Sequence, residues 1–411
     1  MRAALVIALV APACFGEGPV PVKAEDATVI FSAPAGDPAT CTGFYIGDVS
    51  IGIDDAYAVL VPYSPSNCMG GASKLNQPYP LYRFHPHGGS NERLGQIPQL
   101  MTSMNGGPEP RVVVHGSDPL FAFDTGASEL HTNTGFSLAD SIVTTSSGMS
   151  PMALIYDGTL AYLAIAPDIN TSFPNNPEYP CCGLANSAGG GGSQAGQIVA
   201  LPSTVLATPN VYCSVVSSRC MVADSATLYF FAVNGGGFEI DSITKVGAVP
   251  GNVAKPTPRG SATIPIGLDA DGARVAWASS VDYRSQSSFV QPGCEIAYVD
   301  LPSATVTTAL STSAFSCQDL VLDGDAVYFT IVSLHPQNGD SGDSNVSVKG
   351  EGIARLDLSS GNLDSVRVGF HGYNTGPRRL YLDAANLYAV DPQAIASIPK
   401  AAIAGHHDFM P

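Results

Sequence analysis

Charge is scarce in this sequence and unevenly split. Among 411 residues, 18 Lys and Arg stand against 35 Asp and Glu, a formal net charge of −17. A sequence-independent grip on nucleic acid needs clustered cations that displace counterions, so nucleic-acid binding is excluded as an expectation. Uncharged apolar runs are short of the roughly 20 residues a spanning helix requires. No Cys-x-x-Cys pair occurs, which removes zinc ribbons and thioredoxin-type sites. Gly-x-Ser-x-Gly, P-loop and Rossmann fingerprints are also missing. Only one Trp is present. What remains is plentiful Gly and Pro, 43 and 32 residues, with 45% hydrophobic residues. That mixture suits many short strands joined by turns and is too apolar for a disordered chain.

The first residues and the cysteines speak to the compartment. Met1-Arg2 precedes an apolar stretch from Ala3 to Ala11, then Pro12-Ala13-Cys14. One positive charge, a short apolar core and a small residue form the pattern of a signal peptide over residues 1–13. Cys14 after Ala13 resembles the lipobox of bacterial lipoproteins, which implies a lipidated Cys14 followed by a tether over 14–27. No other contact with a membrane is expected. The other eight cysteines are Cys41, Cys68, Cys181, Cys182, Cys213, Cys220, Cys294 and Cys317. An even number fits a disulfide framework in an oxidising compartment, so the expected address is the outer membrane or cell surface, or the medium.

Internal repetition is the strongest signal. An apolar run ends at Asp, and a Tyr or apolar residue follows five positions later. The phrase occurs at Asp157–Tyr162, Asp224–Tyr229, Asp323–Tyr328 and Asp383–Tyr388, with looser copies at Asp54, His115 and Asp271. Spacings between these starts are 61, 42, 67, 47, 52 and 60 residues. A second phrase follows, two apolar residues three apart: Ile198 and Leu201, Ile240 and Ile243, Ile296 and Val299, Ile353 and Leu356, Ile395 and Ile398. A third run closes most units, as at Val306 and Val366. Each unit reads as four antiparallel strands, a to d, with Asp and a small residue making the a–b turn. In/out alternation is blurred, as expected when neighbours cover both faces of a sheet. The last unit lacks a clear strand d, while Thr28-Val29-Ile30-Phe31-Ser32 is a strand without a unit. Joining the two would close a ring and remove its edges.

These phrases resemble the repeats of seven-bladed β-propellers of the NHL/TolB-like kind found in bacterial envelope and secreted proteins. The resemblance covers residues 28–403, leaves 404–411 as a tail, and implies an all-β fold of seven four-stranded blades sealed by the N-terminal strand. It says little about activity. In such a blade the b–c and d–a connections share one face of the ring. The long insertions, Pro62–Pro80, Pro167–Gly196, Ser279–Gly293 and Ser333–Gly350, are all b–c. The eight cysteines fall on that same face. Adjacency favours Cys41–Cys68 and Cys294–Cys317, and leaves the order of Cys181 and Cys182 with Cys213 and Cys220 open.

Chemical candidates are few. His85-Pro86-His87 has the spacing of a metal pair, but a hairpin tip before Gly88-Gly89 is the expected reading. Asp340, Asp343 and Asn345 could offer oxygens to Ca²⁺, although a solvated loop is the plainer expectation. His406-His407-Asp408 reads as a chain end. An Asp recurring in nearly every unit serves the unit's turn and not one active site. No catalytic residue, cofactor or metal is assigned. Tyr63, Tyr79, Phe173, Tyr179, Tyr283 and Phe289 are candidate contacts on the loop-bearing face, since aromatics give contact area at low entropic cost. The expected role is a monomeric binding scaffold at the cell envelope, taking a protein or glycan through that face. The alternatives are an extracytoplasmic hydrolase or lyase with its site at the channel mouth, or a purely structural envelope component.

Overall fold

The computed structural model describes residues 27–37, 40–64, 73–75, 77–97, 111–115, 118–124, 128–132, 141–144, 149–167, 197–200, 204–207, 221–234, 237–245, 257–262, 265–281, 293–336, 346–368 and 379–406. These residues form an all-β propeller. Their strands group into seven antiparallel sheets in chain order. Within each sheet the strands are lettered a to d outward from the ring axis.

Sheet 1 contains Gly43–Ile51, Ala56–Ser64, Tyr79–Phe84 and Glu92–Ile97, with the short Ser73–Lys74 beside strand b. Sheet 2 contains Arg111–His115, Asp118–Asp124, Ser128–Thr132 and Ser141–Thr144. Sheet 3 contains Met149–Tyr156, Ala161–Pro167, Gln197–Ala200 and Thr204–Ala207. Sheet 4 contains Met221–Ala223, Thr227–Asn234, Gly237–Thr244 and Thr257–Ala262. Sheet 5 contains Pro265–Ala270, Arg274–Val281, Gly293–Asp300 and Thr305–Thr312. Sheet 6 contains Ser316–Asp323, Ala326–Pro336, Val346–Asp357 and Leu363–Arg367.

Sheet 7 is assembled from both ends of the chain. Arg379–Leu382, Asn386–Val390 and Ala394–Pro399 supply strands a to c, and Thr28–Ser32 supplies the fourth. Thr28 lies opposite Ser397, and Ser32 opposite Ala394. The orphan strand and the incomplete unit of the sequence are therefore one sheet.

Strands a of successive sheets are neighbours, so they line the inside of the ring. Strands d lie outermost, as the exposed pattern of Thr305–Thr312 shows. Strand b is sealed on both faces. Ala56, Tyr57, Ala58, Val59, Leu60 and Val61 are all fully buried. That explains the blurred alternation, because a strand covered by a neighbouring sheet on each side gains from apolar residues at every position.

Apolar clusters fill the joints between sheets and run in a circle. Tyr57, Leu81 and Val112 join sheets 1 and 2, and Val113 with Leu154 and Leu163 joins sheets 2 and 3. Tyr162, Phe230 and the only Trp, Trp277, link sheets 3 to 5. Ile296, Cys317 and Phe329 fill the next joint, and Val321, Ile353 and Leu387 the one after. Phe31, Val390 and Ile395 then meet Ile46, Leu60 and Phe84 of sheet 1. This last joint is also pinned through the backbone. The Ile46 N–H donates to Pro392 O and the Ala33 N–H to Gln393 O, both at 2.7 Å.

One insertion is more regular than the sequence suggests. Strands b and c of sheet 6 pair out to Pro336 and Val346, so the stretch from Ser333 to Gly350 begins and ends as a hairpin extension. Cys294 of sheet 5 and Cys317 of sheet 6 form the expected disulfide, with Cα atoms 5.3 Å apart, and it ties adjacent sheets together. Among the described residues no helix is long and apolar enough to cross a membrane.

Candidate functional site

Two sets of polar side chains are built by the repeat, one at the a–b turns and one on the inner strands. At the turns the recurring Asp acts as a local acceptor. Asp157 Oδ1 takes the N–H groups of Thr159 and Leu160, both at 2.9 Å. Asp224, Asp271 and Asp383 do the same with their own residues two and three positions on. This Asx geometry holds the tight turn. The second oxygen takes the phenol five residues later: Tyr162 at 3.2 Å, Tyr229 at 2.9 Å and Tyr388 at 2.6 Å. The Asp has the turn role expected of it. The Tyr, which the sequence showed only as part of the phrase, is the bolt that fixes the turn to strand b.

A cation from the following sheet completes some of these turns. Lys245, just beyond strand c of sheet 4, reaches Asp157 of sheet 3 at 2.8 Å. Lys400, just beyond strand c of sheet 7, reaches Asp323 of sheet 6 at 2.7 Å. The backbone N–H groups of Lys245, Leu301, Leu358 and Lys400 make one equivalent bond to the turn of their own sheet. The Leu side chains pack into the joint where the Lys side chains bond. The titration behaviour follows. Burial alone would raise the Asp157 carboxyl, but the Leu160 N–H, Lys245 and the Thr159 N–H outweigh it and lower it to about 2. Tyr162 is pushed up to about 12 by burial and by the adjacent Asp157 charge. Asp383 is likewise held below the usual carboxylate range: burial opposes this, but the Tyr388 hydroxyl and the N–H groups of Asn386 and Ala385 prevail.

The inner strands carry the second set. Position −4 is defined four residues before the first turn residue, that is before Gly52, His115, Asp157, Asp224, Asp271, Asp323 and Asp383. Among the described residues it holds Asp48, Arg111, Ala153, Gly267, Asp319 and Arg379 in order around the ring. A strand a exposes backbone N–H groups along its inner edge, and the preceding sheet supplies acceptors for some of them. Asp48 Oδ2 accepts the Val112 N–H at 2.8 Å, and Asp319 Oδ2 accepts the Leu380 N–H at 2.8 Å. Two residues on, Ser50 accepts from Val114 at 3.0 Å and Asp269 from Leu322 at 2.9 Å. Gly267 makes room for this arrangement: a Cβ there would lie 2.9 Å from both Asp319 Oδ1 and the Leu320 nitrogen.

The same rule crosses from sheet 7 to sheet 1 with donors in place of acceptors. Arg379 Nη1 bonds Asp48, its Nη2 donates to Gly47 O at 2.6 Å, and the Tyr381 hydroxyl donates to Val49 O at 2.5 Å. Arg111 stands on the other side, its Nη1 3.9 Å from Asp48 Oδ1. Two guanidinium groups therefore flank one buried carboxylate. Asp48 and Arg379 are almost wholly enclosed, and the Arg111 side chain is 14% exposed. Sequence reasoning missed this set. Its members share a position but not a residue type, so no repeated letter marks them.

The expected site residues fall as follows. Tyr79, read as a loop-face aromatic, is instead the first residue of strand c and packs in the core with Tyr57, Leu81 and Ile97. Pro80 hid this. It has no N–H to give, and pairing with strand b ends at Leu81, so a Pro is tolerated there while strand d still pairs alongside. Tyr63 is half-buried at the end of strand b, its ring over Gly43 and 5.8 Å from that of Tyr45. His85 and His87 sit in the c–d turn of sheet 1, as a hairpin tip. His85 Nδ1 is 3.2 Å from Asp55, and His87 lies 3.9 Å from Asp383 of sheet 7. The His406 carbonyl accepts the Ser365 N–H at 2.7 Å, which docks this part of the chain end on sheet 6. Cys41 is disulfide-bonded. Cys14, Cys68, Cys181, Cys182, Cys213, Cys220, Phe173, Tyr179, Tyr283, Phe289, Asp340, Asp343 and Asn345 lie outside the described residues. Among the described residues no three His, Cys, Asp or Glu side chains gather as a metal site.

The sequence matches no protein-family profile, and no curated protein matches it. Solved structures give distant similarities. A propeller of Dos1 aligns over 94% of this chain and 97% of its own, at 11% identity and a TM-score of 0.46. An oligogalacturonate lyase from Vibrio parahaemolyticus aligns over 84% and 87%, at 10% identity and a TM-score of 0.47. A puromycin-hydrolysing peptidase of Mycobacterium tuberculosis aligns over 90% of this chain at 11% identity and a TM-score of 0.37, and the chain spans 61% of that protein's length.

Proposed function

We propose that the seven sheets are the seven blades of one closed ring, and that the ring is a binding scaffold outside the cytoplasm, lipid-anchored through Cys14. Its loop-bearing face engages a protein or a glycan. The observation that carries this reading is the asymmetry between the two ends of the sheets. At the a–b end, the Asp, Tyr and Lys side chains are bonded to one another and hold turns. At the opposite end the strands of sheets 1, 3, 5 and 6 are joined by the long b–c connections 65–78, 168–196, 282–292 and 337–345. Recognition is commonly carried by loops held on a rigid scaffold. The disulfide between sheets 5 and 6 and the bonded Cys41 support an oxidising compartment.

The test is capture of partners from envelope extracts by the whole chain and by a variant lacking residues 168–196. The scaffold reading expects the deletion to remove one or more partners while the ring stays folded. An unchanged set of partners counts against recognition through that connection. Failure of the whole chain to retain any envelope protein or glycan counts against the scaffold itself.

A further inference from the structure

Arg111 and Arg379 occupy the same position −4, yet their surroundings differ. Arg379 of sheet 7 points its guanidinium to Asp48, the position −4 residue of the next sheet. The residue that would play this part for Arg111 is Ala153 of sheet 3, a buried methyl. Asp48 does not make up the difference. One oxygen is engaged by Arg379 and the other by the Val112 N–H, so Arg111 approaches no nearer than 3.9 Å. The Arg111 Nε, closed off from solvent, has no hydrogen-bond partner, a feature other arginines here share, so the contrast with Arg379 lies at the terminal nitrogens. A guanidinium carries five N–H donors and keeps its charge at all working pH values. Leaving it largely buried without acceptors is costly.

We propose that Arg111 is the anchor of a carboxylate-binding subsite on the inner rim of the ring, where the ligand supplies the carboxylate that Ala153 lacks. This rests on the scaffold reading above and gives it a ligand chemistry. Location fits. Arg111 is the first residue of its innermost strand, at the end where the b–c and d–a connections gather, and its side chain keeps 14% of its exposure as a way in. Charge fits as well. Two arginines around one aspartate leave a single surplus positive charge, which a monoanion neutralises in bidentate fashion. A polyanion would meet the protein's net charge of −17 instead. The carboxylate could belong to an acidic sugar or to a peptide C-terminus, and the probes separate these sources.

The experiment is calorimetric titration of the full chain with D-glucuronate against D-glucose, and with N-acetyl-Ala-Ala against its C-terminal amide. One carboxylate probe, or both, should bind, with its neutral twin at least tenfold weaker. Arg111→Gln should lower the affinity for the carboxylate probe at least tenfold. Ala153→Asp should do the same by a different route, since the new carboxylate occupies Arg111 from within. If Arg111→Gln fails to fold, Ala153→Asp decides. Equal binding of the carboxylates and their neutral twins, or undiminished binding by the variants, overturns the subsite. Partner capture that depends on residues 168–196 but not on Arg111 would leave the scaffold standing and remove only this inference.

Discussion

Asp157 shows how much one side chain does in this repeat. It accepts two N–H groups of its own turn, the Tyr162 phenol and the Lys245 ammonium of the next sheet. Its carboxyl is depressed in the folded protein, so its contribution is fully present above the ordinary carboxylate range. That contribution fades as pH falls from about 4 through about 2, because the unfolded chain binds the proton first. Acid unfolding followed by circular dichroism should show this, and Asp157→Asn should flatten the dependence in that window. Tyr162→Phe, which removes the bolt and keeps the ring, should cost about 1 kcal/mol in urea unfolding at neutral pH. The turn Asp was legible in the sequence because turn chemistry is local. The phenol's partner was not, since five residues along a strand and turn do not place a hydroxyl without the fold.

At the scale of the strand, the informative contrast is between strands a and b. Strand b was readable as an apolar run because both of its faces are covered, whatever the neighbour. Strand a carries the polar staples, and each one depends on the sheet beside it. Asp319 is fully buried, and its Oδ2 is the acceptor for the Leu380 N–H of sheet 7. Asp319→Ala should therefore strand a buried donor and cost about 2 kcal/mol, with Asp319→Asn losing less because an amide oxygen still accepts. Urea unfolding at constant slope would measure both. From sequence alone Asp319 was one more acid four residues before a turn. Position −4 holds Asp, Arg, Ala or Gly in different sheets, so its meaning is visible only between sheets. Tyr79 failed in the opposite sense. Two prolines around it spelled a loop, but only the b-side pairing ends there.

For the whole molecule, the legible part was the all-β propeller architecture and the meeting of Thr28–Ser32 with the last unit. Both rest on repetition, which survives divergence better than any single residue. The site was less legible, because the long b–c connections share no phrase with one another. Removing residues 27–32 should leave strand Ala394–Pro399 with an open edge and take Phe31 out of the joint between sheets 7 and 1. The truncated chain should melt lower and associate in a concentration-dependent way, measured by thermal denaturation and size-exclusion chromatography. A truncated chain that stays monomeric and equally stable would show that the clasp adds little.

The pairing of Thr28 with Ser397 also has a consequence in time. These two residues lie far apart in sequence, with the other six sheets between them, so the contact cannot form until strand Ala394–Pro399 has been made, and its search is entropically slow. Until then each nascent molecule offers a strand seeking a partner and a partner seeking a strand. Crowded refolding should therefore yield exchanged dimers, in which one copy's leading segment completes its neighbour.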